Sequence, residues 1–431
     1  MKFGKQLERQ LEAENLPEEW VEAAIQYKAL KKCINMIVGE LEILGLSKAT
    51  SKLLLGSEEV DISPENRKLA QYTLTKGKSG TSIVPRLEIL PGDDVHPEIW
   101  SQLRQRVESN AHVVNEPTNS VIRPTITEIK DDGTIVVSLH SDVKFFTMLE
   151  NELSQLDELR EREERKLLTE CESISEQVKT LSSPSQSRKD LYAWRELFRV
   201  YIDSEVYFRY NESNSSAAER DSDKIEQNLE QFLLNMRQSK ILDKFSQRQS
   251  LSTFNRFVAM NFHLLKMLQF QQMNSTALRK ILKKFDKQTN FGIKNTFPRL
   301  VSDDHVFIKG GSLAQSICYV IQSQILALVP QLEDYTCPVC MSIAYKPIQL
   351  DCGHRFCVRC LVKMKQQEQG DCPICRSSRA IMAADGSHLD VEAMKKMEVY
   401  FPIEVKQKLR ERNQEKFRDW RGGSQDKCHI M

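Results

Sequence analysis

The stretch "CPVCMSIAYKPIQLDCGHRFCVRCLVKMKQQEQGDCPIC" holds eight residues able to ligate a metal: Cys337, Cys340, Cys352, His354, Cys357, Cys360, Cys372 and Cys375. They form four pairs, with two, one, two and two residues between members. A pair so spaced lies on one tight turn and offers two ligands to one tetrahedral ion. Four such soft ligands close a structural zinc site. Eight ligands therefore imply two structural Zn2+ ions, with no open position for hydrolytic chemistry. Eleven cysteines would suggest disulfides in a secreted chain, but seven of them lie between residues 337 and 375. In an intracellular chain such clustering points to metal.

A second stretch, "LRKILKKFDK" at 278–287, packs four lysines and an arginine into a chain whose net charge is only +1. At roughly 100° per residue, Lys280, Lys283, Lys284 and Lys287 fall within about 100° of one another, opposite Leu278, Ile281, Leu282 and Phe285. Like charges at i,i+4 cost a few tenths of a kcal/mol each. Alone, the segment reads as a solvated lysine face over a buried stripe. The near-neutral total excludes steering of the whole molecule to nucleic acid, so any anion site must be local.

The elements that must position these residues are mainly α. The 431 residues, 40% hydrophobic and 28% charged, suit two to three soluble domains. Residues 1–46 read as two helices: one with Phe3, Leu7 and Leu11, the next from Trp20 through Ile25, Leu30, Ile34, Ile37, Leu41 and Leu44 to Gly45. Residues 47–140 are punctuated by prolines and read as a partly mobile insertion, with "GTIVVSL" its best strand candidate. A heptad-like stripe of Phe146, Leu149, Leu153, Leu156 and Leu167 follows, then a break at "SSPSQS". A second insertion is placed at about 181–255. Helical signal runs over roughly 223–288, "NTFPRL" reads as a linker, and another helix is expected near 312–330. The expected domains are a helical assembly at 1–330, the cysteine block at 337–376 and a helical tail at 377–431. That tail either stabilises the cysteine block or mediates homodimerisation.

The cysteine spacing resembles the RING finger across 337–375. A PHD finger usually places its histidine fifth among the ligands, whereas His354 is fourth. The resemblance implies interleaved sites: Cys337, Cys340, Cys357 and Cys360 on one zinc, and Cys352, His354, Cys372 and Cys375 on the other. The cross-brace substitutes for a core too small to fold alone. RING domains recruit a ubiquitin-conjugating enzyme loaded with ubiquitin, which carries the thioester, so no covalent intermediate forms on the RING chain. Val339, Met364 and Pro373 match the family's apolar docking groove, with local packing the plain alternative for Val339 and Met364. Arg376 matches its linchpin cation, a role suited to the fixed guanidinium fork.

"MKFGKQLE", "YKALKK" and the lysine helix resemble the SPX domain, in which a helical hairpin packs on a long helical pair. The resemblance implies an inositol polyphosphate or pyrophosphate ligand. Tyr27, Lys31 and Lys284 would form its tight phosphate cluster, and Lys2, Lys280, Lys283 and Lys287 a wider surface. Tyr27 and Lys31 lie one helical turn apart, so both can reach one phosphate. The chain departs from the family at Ala277-Leu278 and at Phe285, where many members have histidine.

The chain ends "CHIM", which fits the C-a-a-X pattern for farnesylation at Cys428 except that His429 is not aliphatic. A single prenyl chain would give only weak membrane association. Neither a signal peptide nor a membrane span is evident, so a cytoplasmic location is expected. Cys33, Cys171 and Cys318 lack ligand spacing and read as core thiols. Together the resemblances imply a RING-type ubiquitin ligase that senses inositol pyrophosphate, like the SPX-RING proteins of fungi and plants linked to turnover of phosphate transporters. The rivals are a non-catalytic phosphate-sensing scaffold and a nucleic-acid-binding regulator, the latter disfavoured by the net charge and the Tyr27–Lys31 pairing.

Overall fold

The computed structural model describes residues 3–14, 16–55, 70–77, 82–90, 101, 105, 125–130, 133–207, 221–309 and 313–422. The chain divides into two compact units: residues 1–167 with 262–314, and residues 168–261 with 315–431. The chain passes between units at three points, two inside 42-residue helices and one inside the eight-residue helix Leu313–Val320.

The first unit opens with helices α1 (Phe3–Ala13), α2 (Glu18–Ala23) and α3 (Tyr27–Ile43). The sequence predicts one continuous helix from Trp20, but the chain turns at Ala24, whose backbone is extended. There the Ile25 N–H, instead of closing a helical turn, donates to Asn274 Oδ1 at 2.8 Å. Asn274 is itself buried and tied by its own amide to Phe270 O. One side chain thus breaks the helix and satisfies the freed donor.

After α4 (Lys48–Leu55), strands β1 (Ala70–Lys76), β2 (Ile83–Ile89), β3 (Thr125–Ile129) and β4 (Ile135–Ser138) form an antiparallel sheet of order β1-β2-β4-β3. "GTIVVSL" supplies β4 as expected. The described part of 47–140, read as an insertion, packs into the core. Tyr72 stacks on Phe291 with centroids 4.1 Å apart and donates to Asp142 Oδ2 at 2.9 Å. Much of the rest of that stretch lies outside the described residues.

Helix α5 runs unbroken from His140 to Leu181. Its first free N–H groups, those of His140 and Ser141, donate to the carboxylate of Glu40 at 2.9 and 3.0 Å. A buried anion on α3 therefore caps α5. Phe146, Leu149, Leu153, Leu156 and Leu167 are all buried, and Phe145 and Phe146 pack against Phe285.

The break at 182–187 is observed. Ser187 caps α6 (Arg188–Asp203) by accepting from the Asp190 N–H. Helices α7 (Ser222–Gln238) and α8 (Arg248–Thr289) are separate, so the single helical region expected over 223–288 is interrupted. The stretch read as an insertion at 181–255 supplies helices of the second unit's core, where Trp194, Phe198, Phe232 and Phe257 are buried. "NTFPRL" is helical and not a linker: it lies in α9 (Ile293–Val301), with Pro298 inside. Asp286 accepts from the Ile293 and Lys294 N–H groups at 2.7 and 2.8 Å, fixing the start of α9.

Short helices α10 (Val306–Lys309) and α11 (Leu313–Val320) follow, then one π turn and one 3-10 turn to Leu328. The cysteine-rich module contains β5 (Thr336–Cys337), β6 (Ser342–Ile343), β7 (Pro347–Gln349), β8 (Arg355–Cys357) and α12 (Val358–Gln366). The tail holds α13 (Ala380–Ala383), α14 (Val391–Tyr400) and α15 (Pro402–Gly422).

Candidate metal centres and anion-binding surface

The eight ligands gather into the two interleaved groups expected, and within each the ligand atoms lie within 4.8 Å of one another. Zinc–ligand bonds of about 2.3 Å to sulfur and about 2.0–2.1 Å to nitrogen, set tetrahedrally, require about 3.8 Å between sulfurs and about 3.6 Å between sulfur and nitrogen. The Cys340–Cys357 Sγ separation is 3.7 Å. His354 Nδ1 lies 3.5 Å from Cys352 Sγ and 3.6 Å from Cys372 Sγ. These spacings fit zinc. Crowding also shows in the thiols: hydrogen bonds from Cys357 and Cys360 hold Cys337 far below the ordinary range. Hydrogen bonding with Cys337 and Cys360 in turn drives Cys357 far above it. A bound dication would remove that competition.

Backbone geometry prepares both knuckles in the same way. The residues after the Cys337/Cys340 and Cys372/Cys375 pairs, Met341 and Arg376, are left-handed at φ 52° and 60°. The Met341 N–H donates to Cys337 O and the Arg376 N–H to Cys372 O, both at 2.8 Å. Further donors support the first site's sulfurs: the Tyr345 N–H lies 3.1 Å from Cys357 Sγ and Lys408 Nζ 3.6 Å from Cys340 Sγ. Lys408 comes from α15, whose Arg412 also covers the Tyr345 ring at 4.2 Å. Arg355 pairs with Asp390 at 2.7 Å, and Asp390 caps α14. The tail therefore packs onto the finger, a role the sequence left open beside dimerisation.

Val339 is 46% exposed, and Pro373 and Arg376 are also exposed. Met364 is buried in the finger's core with Leu361, Phe356 and Ile381, which matches the packing alternative. Sequence reasoning missed Met341 and Ile374, large apolar side chains 77% and 50% exposed. Their positions inside or beside the knuckle loops were the available signal.

In the first unit, Phe3 connects the anion-surface residues. Its ring meets Tyr27 edge-on at 4.9 Å and lies 3.8 Å beneath Lys280 Nζ. Residues more than two hundred positions apart are thus brought to one ring. Gly4 permits this approach, since a Cβ there would come within 3.2 Å of Tyr27 Cδ1. Tyr27 is half-buried, and desolvation raises its phenol pKa, so it remains a neutral donor. Lys280, Lys283 and Lys287 are exposed, while Lys31 and Lys284 are partly covered. Among the described residues, Lys31, Lys283, Lys284 and Lys287 form no ion pair. Asp286 sits between these lysines in sequence, but its two oxygens are engaged at the start of α9. The departures Ala277, Leu278 and Phe285 are buried, so they alter packing and leave the charged face intact. Lys2 and Cys428 lie outside the described residues.

A mainly helical chain with a cross-braced finger holding two four-ligand sites defines a RING-bearing helical protein. The SPX domain family matches residues 1–301, and the C3HC4-type RING zinc finger matches residues 337–375. The chain belongs to the SPX family and carries a C-terminal RING finger. It is 45% identical, over the full length of both chains, to the Candida albicans protein named transcriptional regulator of yeast form adherence 3. It is 33% identical to a Schizosaccharomyces pombe RING finger protein, covering 97% of this chain and 96% of that one. A shorter match, 33% identical over 91 residues, covers 20% of this chain and 21% of the human E3 ubiquitin-protein ligase TRIM31. No solved structure matches the chain.

Proposed function

We propose that this protein is a RING-type ubiquitin ligase whose SPX domain senses inositol polyphosphates or pyrophosphates. The observation that carries the ligase reading is the finger itself: two four-ligand sites at zinc spacing, with Val339, Pro373 and Arg376 exposed beside the knuckles. The finger's residues hold the two Zn2+ ions, which supply rigidity, while a conjugating enzyme carries the activated ubiquitin. Val339 and Pro373 offer apolar contact to that enzyme. Arg376, aimed by its left-handed backbone, offers a forked donor to enzyme and ubiquitin together.

The ligand reading rests on Tyr27 and Lys280 meeting at Phe3, and on Lys31, Lys283, Lys284 and Lys287, which form no ion pair among the described residues. A rigid ring bearing several phosphates needs point charges spread over a surface, and lysines supply them. Bound ligand would relieve the like-charge repulsion on an already folded helical unit and so change how substrate is presented. Substrates of this reading are phosphate-homeostasis proteins such as phosphate transporters, met in the cytoplasm or at a membrane. Among the described residues no helix is long and apolar enough to cross a membrane.

Purified full-length protein, zinc-loaded and offered a panel of conjugating enzymes, should build ubiquitin chains, and Val339→Ala or Arg376→Ala should reduce them. No chains with any enzyme would leave the non-catalytic scaffold. The Candida relative's name favours a second reading, a regulator acting on nucleic acid. Calorimetry with an inositol pyrophosphate against short duplex DNA separates the two, and tighter DNA binding would overturn the sensor reading. Proteomics comparing wild type with Cys337→Ser would identify substrates.

A further inference from the structure

The two metal centres differ by one charge. Four thiolates around a dication leave two negative charges on the centre of Cys337, Cys340, Cys357 and Cys360. Three thiolates and a neutral imidazole leave only one on the centre of Cys352, His354, Cys372 and Cys375. The chain places a cation at the centre with the excess. Lys408 Nζ lies 3.6 Å from Cys340 Sγ and donates to Ser342 Oγ at 2.7 Å, and that hydroxyl is itself 3.3 Å from the same sulfur. The sulfurs of the second centre receive backbone N–H groups, from His354 at Cys352 and from Ile374 and Cys375 at Cys372. Among the described residues no lysine or arginine hydrogen-bonds a sulfur there.

The surroundings of Lys408 commit it to this place. It is partly covered and forms no ion pair among the described residues. The carboxylates one turn to either side on α15 are engaged elsewhere: Glu404 accepts from Tyr192 at 2.6 Å and Glu411 from Gln407 at 3.2 Å. Its other neighbour at helical spacing, Arg412, is a like charge, an arrangement that costs a few tenths of a kcal/mol in a bare helix and that a dianionic centre offsets. Arg412 in turn donates to Tyr345 Oη and covers that ring, and Glu415 pairs with Arg359 of α12, so α15 is docked on the finger along its length. Its base is held as well. Arg195 of α6 donates from Nε to Pro330 O and from Nη2 to Tyr400 O, each at 2.9 Å, two residues before α15 begins.

We propose that Lys408 makes the tail helix α15 a retention clamp for the first zinc. Its ammonium offsets the extra thiolate charge at Cys340, so this centre keeps its metal while α15 is docked and yields it first when α15 is not. Groups that support metal ligands from outside typically hold ten- to a hundredfold of the metal affinity, about the range expected of Lys408. The inference rests on the zinc reading of the two centres and not on ligase activity.

The test uses the full-length protein loaded with cobalt, whose d–d absorption separates tetrathiolate from trithiolate–imidazole coordination, and follows each band after excess EDTA is added. Lys408→Gln should speed loss of the tetrathiolate band about tenfold and separate the two bands in time. Lys408→Arg, which keeps the charge, should restore most of the wild-type rate. Arg412→Gln, which loosens the helix with Lys408 in place, should speed the same band about threefold, and it decides the matter if Lys408→Gln takes up no metal. An unchanged tetrathiolate rate in either glutamine variant would overturn the proposal. So would equal acceleration of both bands, which is general loosening, or a Lys408→Arg variant as fast as Lys408→Gln, which is packing without charge. A wild type that shows neither tetrahedral cobalt band would remove the metal reading and the proposal with it, whereas bands present with unmoved rates would remove the proposal alone.

Discussion

The RING finger and the lysine surface both gather side chains suited to an ion of opposite charge, but they are assembled differently. The finger draws every ligand from 39 consecutive residues, 337–375. The lysine surface joins Phe3 and Tyr27 to Lys280 across more than two hundred residues. The finger has too small a core to hold its shape without metal, whereas the lysine surface lies on a helical core dense in phenylalanine. Metal should therefore be integral to the first site's fold, and ligand incidental to that of the second.

The largest test of this contrast is zinc removal. Cys357→Ser, or a strong chelator, should cost the finger on the order of 10 kcal/mol of coupled binding and folding energy. Limited proteolysis should then cut within 337–401, while calorimetry should find inositol phosphate binding retained. Cleavage unchanged from the zinc-loaded protein would break the comparison. Next in size is Phe285→Ala. This fully buried ring packs on Phe145, Phe146 and Phe291, and its loss should cost about 3–5 kcal/mol. Denaturant melts should show the first unit destabilised and ligand affinity falling with it.

A third test is pH. Burial pushes the carboxyls of Asp142 and Glu152 up to about 7 each. Folded pKa values above the ordinary carboxyl range mean the native state holds protons that the unfolded chain has released. The first unit should thus be most stable near the unfolded carboxyl pKa and lose stability as pH rises towards 7, by a few kcal/mol in all. Melting temperatures between pH 5 and 7.5 check this, and Glu152→Gln should flatten the curve and raise its alkaline end. The smallest effect belongs to the surface itself. Lys284→Ala should weaken inositol phosphate binding about tenfold, roughly 1.4 kcal/mol, while changing stability by only a few tenths. A drop in melting temperature comparable to that of Phe285→Ala would show that the lysine is structural.

Legibility in the sequence follows the same division. The zinc ligands were readable because a short turn fixes which residues can share an ion, so spacing is already geometry. The helical stripe from Phe146 to Leu167 was readable for a similar reason, periodicity being local. What the sequence hid depends on distant partners. Asn274 breaks the helix predicted to run on from Trp20, Glu40 caps α5 from a hundred residues away, and Asp286 starts a helix where Pro298 argues for a linker. Tyr72 brings a presumed insertion into the core. At the lysine surface the charges were visible, but Phe3, which joins them, looked like one more apolar residue on a stripe. Met364 shows the converse: motif position suggested a surface, and packing put it inside.

Arg195 also bears on dynamics. By bonding Pro330 O and Tyr400 O from α6, it ties the chain entering the finger to the chain leaving α14. Opening either connection breaks hydrogen bonds in the other, so finger and tail should exchange their amide hydrogens as a single cooperative foldon. An otherwise small zinc module thereby takes on the opening free energy of the helix that holds it.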